Sequence, residues 1–193
     1  MRLQSALLVV CAAALAACND SSTAPTTVNG SLSFNYTGAG ASAATTFSAN
    51  GDVPTSVVNG FGSNSWAAAE VDAANVETDV VAFVPKSSST WDEAVITVNR
   101  TSIGSSTISS SCATSNCPSV TIIFGVSQAQ STYTYLCELT NGSVNISSIS
   151  SSRVTGSFSG TGTCTNSLNV VSNFTVTSGI FDAGVTTQAI GGV

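Results

Sequence analysis

The chain has 193 residues, of which 42% are hydrophobic and only 7% are charged, with four Lys or Arg against ten Asp or Glu and no histidine. The formal net charge of −6 excludes the basic surface that nucleic-acid binding requires. The scarcity of Glu and Lys excludes a coiled coil or a long helical bundle, and the hydrophobic fraction excludes a disordered chain. The class of protein that these numbers leave is a folded domain with few surface charges.

The N-terminal segment has the pattern of an export signal. Arg2 supplies a short positive region, and residues 6–17 are all small or apolar. This stretch is shorter than the roughly 20 residues that span a bilayer core as a helix, and its length is typical of the apolar part of a signal peptide. We therefore predict that residues 1–17 form a signal helix that is removed on export.

The end of this segment reads Leu15-Ala16-Ala17-Cys18, which resembles the lipobox of bacterial lipoprotein precursors. In that family the cysteine thiol is diacylated and the signal is cut just before it, so the resemblance implies lipidation of Cys18 and a membrane as partner. Asn19 follows, where an Asp would retain a proteobacterial lipoprotein at the inner membrane, and this favours the outer membrane. The alternative is an ordinary secretory signal whose cleavage site happens to precede a cysteine.

The rest of the chain divides into a tether and one domain. Residues 18–29 are polar and show no periodicity after the lipidated cysteine, which indicates a disordered, flexible tether. Residues 30–193 have the length of one ordinary domain with its own core.

Alternation of apolar and polar side chains dominates this domain. The segments that alternate, or that are β-branched runs, are residues 31–36, 95–98, 119–126, 133–140, 153–164 and 173–181. Asn-Gly or Ser-Gly pairs, which begin at positions 29, 50, 59, 141 and 178, are predicted turns. Residues 66–75 stay ambiguous, because their alanines favour a helix while their pattern also alternates. We predict an all-β fold, either an antiparallel β-sandwich or a flattened barrel.

The cysteines point to disulfides. Of the six, Cys11 leaves with the signal and Cys18 carries lipid; those that remain are Cys112, Cys117, Cys137 and Cys164. An even number in an exported chain indicates disulfide bonds, and neither the spacing nor the lack of histidine suits zinc. Cys137 and Cys164 both fall on the apolar face of a predicted strand, and Cys112 and Cys117 flank a short polar loop. We predict the pairs Cys112–Cys117 and Cys137–Cys164.

Little in the sequence favours catalysis. Without histidine the chain lacks the commonest general base and the usual nucleophilic triads. Carboxylates gather at Glu70, Asp72, Glu77 and Asp79, and Asp92-Glu93 follow Trp91. Such groups can hydrolyse glycosides or bind calcium, but a solvated acidic loop is the simpler interpretation. We predict no enzymatic activity and no cofactor, and we retain the first four carboxylates as candidate calcium ligands.

Trp66 and Trp91 are the candidate ligand-binding residues, because indole rings can stack on sugars. Polar residues flank Trp91 on both sides, at positions 87–90 and 92–93, so we expect its ring to be exposed. This pattern makes a glycan one candidate partner. A protein of unknown identity is the other.

Near the C terminus, Arg153, Gly156 and Phe158 are followed by the run Gly179-Ile180-Phe181-Asp182. These residues are similar to the closing hairpins of small bacterial lipoproteins of unknown function, which implies a β-sandwich or barrel and no catalytic residues. We expect an exported, non-enzymatic lipoprotein with a structural or binding role at the cell envelope. The alternatives are a carbohydrate- or ligand-binding module that uses Trp66 and Trp91, and a calcium-dependent binding domain.

Overall fold

A computed structural model describes residues 29–53, 64–112, 117–127 and 132–186, and these residues contain β-strands and no helix. The strands are β1 (Gly30–Gly38), β2 (Ala41–Gly51), β3 (Trp66–Asp72), β4 (Glu77–Pro85), β5 (Thr90–Val98), β6 (Gly104–Ser109), β7 (Ser119–Ser127), β8 (Tyr135–Ile149), β9 (Arg153–Asn166) and β10 (Val171–Val185). The all-β prediction is confirmed. The predicted signal helix, Cys18 and the tether up to residue 28 lie outside the described residues.

The sheet closes on itself. Seven strands form a ring in the order β3, β4, β5, β7, β8, β9, β10, and β10 returns to β3 through the parallel contact of Gly184 and Val185 with Ala68 and Ala69. The other neighbouring strands in the ring are antiparallel. Strands β1 and β2 extend the sheet from β10, and β6 extends it from β8. Of the two predicted architectures, the barrel is therefore the one that forms.

The main core fills the inside of the barrel. Because successive side chains of a strand point to opposite faces, alternate residues such as Leu32, Phe34, Val154 and Phe158 are fully buried. The ring of Phe34 stacks on that of Phe47 with centroids 4.8 Å apart and meets the edge of Phe158 at 5.5 Å. The interior is thus occupied by side chains from this chain, as in other small barrels.

The last three strands are longer than the sequence predicts, with 15, 14 and 15 residues. The predicted turns at Asn141-Gly142 and Ser178-Gly179 are wrong, since both pairs lie inside strands, where the register shifts in β8 and β10. Gly142 has a φ of 152° and Ser178 a φ of 53°. A β-bulge requires unusual backbone angles of this kind, as a hairpin turn does, so the same residue types serve both.

The ambiguous residues 66–75 form β3 and most of the turn that follows it. The sequence does not predict strands β2, β4 and β6. Strand β6 has six residues, and Ile108 is its only large apolar residue. Strand β2 lies outside the ring and is exposed on both faces along much of its length, whereas β4 is buried on both faces along Val80–Phe83. A strand whose two faces lie in similar environments does not show an alternation of apolar and polar residues.

Candidate functional site

The candidate calcium ligands lie together on the outer face of the β3–β4 pair. Glu70 is opposite Asp79, and Asp72 is opposite Glu77. The four carboxyl groups therefore form a two-by-two array. Among the described residues, however, no group of three or more His, Cys, Asp or Glu side chains is arranged to hold a metal ion.

The oxygens of this array bond locally. Asp72 Oδ1 accepts hydrogen bonds from the amides of Ala74 and Asn75, at 2.8 and 3.1 Å, and its Oδ2 accepts one from Asn75 Nδ2 at 2.7 Å. Asp79 Oδ1 accepts a hydrogen bond from Thr97 Oγ1 at 2.6 Å. Asp72 thus stabilises the turn after β3 and Asp79 joins β4 to β5, which is a structural use of these carboxylates.

Two carboxyl groups of the array have pKa values that are shifted in opposite directions. Partial burial, and next the negative charge and a hydrogen bond of Asp79, raise the pKa of Glu77 above its ordinary value of 4.5. The hydrogen bonds from Asn75 and Ala74 lower the pKa of Asp72 below its ordinary value of 3.8. Folding therefore favours the protonated form of Glu77 and the ionised form of Asp72.

Glu77→Gln is expected to stabilise the protein at pH 7 by about 0.5 kcal/mol, after allowance for solvent screening. A carboxyl whose pKa is raised by folding loses stabilisation as the pH rises from its unfolded value through its folded value. The gain should therefore vanish below about pH 4.5, where Glu77 is protonated in both states. Chemical denaturation at pH 4 and pH 7 measures the difference.

Asp72→Asn is the matched control, with the opposite sign. Its lowered pKa contributes stability above about pH 3.8 that is lost in acid, so this variant should be destabilised at pH 7. If Glu77→Gln destabilised the protein at pH 7 as Asp72→Asn does, the interpretation that the array disfavours the ionised form of Glu77 would be contradicted.

Trp66 and Trp91 lie on the same outer face as the acidic array, but they are buried, with 2% and 5% of their surface exposed. Phe83 lies between them, with ring centroids 5.9 Å from Trp66 and 5.6 Å from Trp91. The prediction that Trp91 is exposed is wrong. Its polar neighbours in sequence do not determine its exposure, because adjacent residues of a strand point to opposite faces. The two rings form part of a second apolar cluster rather than a platform for a sugar.

Asp92 and Glu93, interpreted from sequence as a solvated acidic pair, are also buried, at 5% and 0% exposed. Glu93 belongs to a row of paired residues that crosses four strands, from Trp66 through Phe83 and Glu93 to Ile123. A fully buried carboxyl group beside aromatic rings is a feature that the sequence analysis missed. Its position directly before the apolar run Ala94-Val95-Ile96 of β5 is the signal that could have indicated burial.

Asp92 lies at one end of the barrel and forms two polar contacts. Its Oδ2 pairs with Lys86 Nζ at 2.8 Å, and its Oδ1 accepts a hydrogen bond from the amide of Gly125 at 2.9 Å. The β5–β7 register shifts at this point, and Gly125 has a φ of 63°. A side chain there would also collide with Thr134 Oγ1, 2.3 Å from the position of a Cβ. Burial, and then the charge of Asp92, raise the pKa of the nearby Tyr36 hydroxyl. Asp92 therefore joins β5 to β7 through Gly125 and to the turn after β4 through Lys86.

Arg153 fixes the place where the chain enters the domain. Its Nε donates to Asp182 Oδ1, and its Nη2 donates to the carbonyl oxygen of Asn29 at 3.2 Å. Arg153 begins β9, and Asp182 lies near the end of β10. The C-terminal pattern that resembles lipoprotein hairpins contains both residues, and the structure gives them a role in holding the end of the predicted tether.

Both predicted disulfide pairs are present in the structure. Cys112 joins Cys117, five positions away, and Cys137 joins Cys164, 27 positions away. Cys137 and Cys164 are directly opposite in the β8–β9 register and are fully buried. Their shared inward face, read from the alternation, is what made the pairing predictable.

Comparisons with known protein families, with curated proteins and with solved structures find no match to this chain. Within the described ranges, no helix has the length and apolar character needed to cross a bilayer. The described residues form a disulfide-bonded β-barrel with a side-chain-filled interior, an acidic array on its outer face and a hydrogen bond from Arg153 to Asn29.

Proposed function

We propose that this protein is exported and lipid-anchored, and that it serves a non-enzymatic structural or binding role at the cell envelope. The observation that carries the proposal is the run Leu15-Ala16-Ala17-Cys18 at the end of an apolar segment, followed by a polar stretch. Acyl chains on Cys18 would hold the domain on the membrane, with the outer membrane as the expected location.

One feature of the domain supports an exported protein, and a second is compatible with an anchored one. The pairs Cys112–Cys117 and Cys137–Cys164 suit an oxidising compartment outside the cytosol. The predicted tether ends at Asn29, whose carbonyl oxygen is bound by Arg153. An anchor at Cys18 would therefore connect to the domain at Asn29, which is hydrogen-bonded to the first residue of β9.

The packing of the barrel supports a role carried out on its outer surface. Side chains from all ten described strands meet in one core. Barrels that carry small ligands internally are usually wider and hold an open cavity. A tethered barrel with a filled interior is suited to present its outer faces to other envelope components.

Lipid anchoring depends on buried methylene groups, each contributing about 0.8 kcal/mol, and two or three acyl chains give stable attachment where one is marginal. Cys18→Ala is therefore expected to abolish the incorporation of labelled palmitate and cleavage before residue 18, when the gene is expressed in a bacterium that processes lipoproteins. Intact-mass measurement and membrane fractionation of the full chain detect both effects.

Cys11→Ala is the matched control, because Cys11 is a second thiol of the same N-terminal segment. This variant should be acylated and sorted like the unchanged protein. Palmitate incorporation that persisted in Cys18→Ala, or a mature unchanged protein without lipid, would refute the anchor.

A further inference from the structure

The turn between β9 and β10 presents apolar side chains to solvent. Leu168, Val170 and Val171 are 79%, 58% and 62% exposed. They are three of the six large exposed hydrophobic residues in the described ranges, yet they fall within four consecutive positions. Single exposed hydrophobic residues are ordinary, whereas contiguous ones indicate a contact surface.

The backbone of this hairpin tip (residues 167–171) is hydrogen-bonded within the protein. Asn166 Oδ1 accepts bonds from the amides of Leu168 and Val170, each at 2.9 Å, and the amide of Asn166 donates to Val170 O at 3.1 Å. The amide of Ser167 donates to Thr134 O at 3.3 Å, which joins the tip to the neighbouring segment. Because these backbone groups are already paired, moving the tip out of water leaves few of them without a partner.

The tip is also free of charge. No Asp, Glu, Lys or Arg occurs between Arg153 and Asp182, although the whole chain carries a net charge of −6. Burial of the tip therefore requires no ionised side chain to lose its water. Three side chains on a convex turn cover far less than the roughly 800 Å² that each partner of a stable protein interface contributes. A fluid lipid surface can surround such a tip, so a bilayer is the partner that it fits.

The predicted tether is long enough for the tip to reach the bilayer that holds Cys18. Asn29 is bound at the start of β9, and the tip follows the end of that strand. Fourteen residues at about 3.3 Å each span about 45 Å, and the tether reaches about 40 Å when extended. The two lengths are comparable, so the domain can lie with β9 inclined towards the membrane or along it. A short tether also keeps the tip at a high effective concentration near the bilayer, so that a weak affinity suffices.

We infer that Leu168, Val170 and Val171 insert into the interfacial region of the bilayer and form a second attachment point. The inference rests on the proposed lipid anchor at Cys18. Attachment at two points fixes the orientation of the barrel relative to the membrane, which attachment at Cys18 alone does not.

Depth-dependent quenching of tryptophan fluorescence tests the inference. The lipidated Leu168→Trp variant, which begins at Cys18, is reconstituted into phosphatidylcholine vesicles with or without brominated acyl chains. Ser151→Trp is the control, because Ser151 lies in the exposed turn at the opposite end of β9. The unchanged protein supplies the background from Trp66 and Trp91, which are buried. Insertion into the interface by about 5–10 Å should quench the indole at position 168 at least about twofold more than that at position 151.

Equal quenching at the two positions, in protein that floats with the vesicles, would overturn the second contact and leave the anchor intact. Protein that does not float with the vesicles would overturn the anchor itself, and the second contact with it. The two failures are therefore distinguishable in one experiment.

Discussion

Replacement of Cys137 and Cys164 together by alanine is expected to lower the free energy of unfolding by about 3–5 kcal/mol. The bond joins β8 to β9 across 27 positions, and closure of a loop of that length restricts the unfolded chain by about 3–4 kcal/mol. Both cysteines are fully buried in the main core, so the alanines also remove packing contacts. Urea denaturation of the detergent-solubilised protein, with disulfides otherwise intact, measures the change.

The other disulfide provides a matched comparison. Cys112 and Cys117 are five positions apart, and a loop this short should contribute only about 2 kcal/mol. Replacement of that pair by alanine should therefore cost clearly less than replacement of Cys137 and Cys164. Equal losses, or a larger loss for the short loop, would contradict the view that the buried β8–β9 bridge is the more important of the two.

Phe34→Ala is expected to destabilise the protein by about 3–5 kcal/mol, because it opens a cavity in the main core. Phe34 is 1% exposed and lies between the rings of Phe47 and Phe158, at centroid distances of 4.8 and 5.5 Å. Its ring also neighbours that of Tyr36, with centroids 5.9 Å apart. Loss of one ring should therefore loosen the packing of β1 against β2 and β9.

Thr37→Ala on the same strand is the control, since Thr37 is exposed and its replacement should change stability by less than about 0.5 kcal/mol. Thermal or urea unfolding of the two variants, followed by far-ultraviolet circular dichroism, distinguishes them. A loss at Phe34 as small as that at Thr37 would mean that β1 is not part of the cooperative core.

The sequence was most informative where a residue's environment is set by its own strand. Alternation in residues 31–36 and 153–164 predicts one inward face for each segment, since a strand with one buried face repeats its polarity every second position. Phe34, Val154, Phe158 and Cys164 lie on those faces and are buried. The same alternation gave the Cys137–Cys164 pair, because two cysteines on inward faces need only adjacent strands to meet. The lipid anchor on Cys18 is likewise a property of local sequence, and it stays a prediction.

The sequence was least informative where the environment comes from distant strands. The polar neighbours of Trp91 did not indicate that Phe83 and Val126 would pack around its ring. The Asn141-Gly142 pair has the backbone freedom that both a turn and a bulge require, so only the pairing of β8 with β9 decided between them. The carboxylates of Glu70 and Asp79 were visible as a cluster, but their positions opposite each other follow from the β3–β4 register.

By itself, then, the sequence determined the all-β class, the inward faces of most long strands and the cysteine pairs, because each depends on the short-range alternation of side chains. Only the tertiary structure decided that the sheet closes through a parallel β10–β3 contact, that Glu93 is buried, and that Arg153 binds Asn29. It also placed the apolar hairpin tip at the opposite end of β9 from the entry point of the chain. These features join residues far apart in sequence, and contacts of that kind arise only once the strands have found their partners.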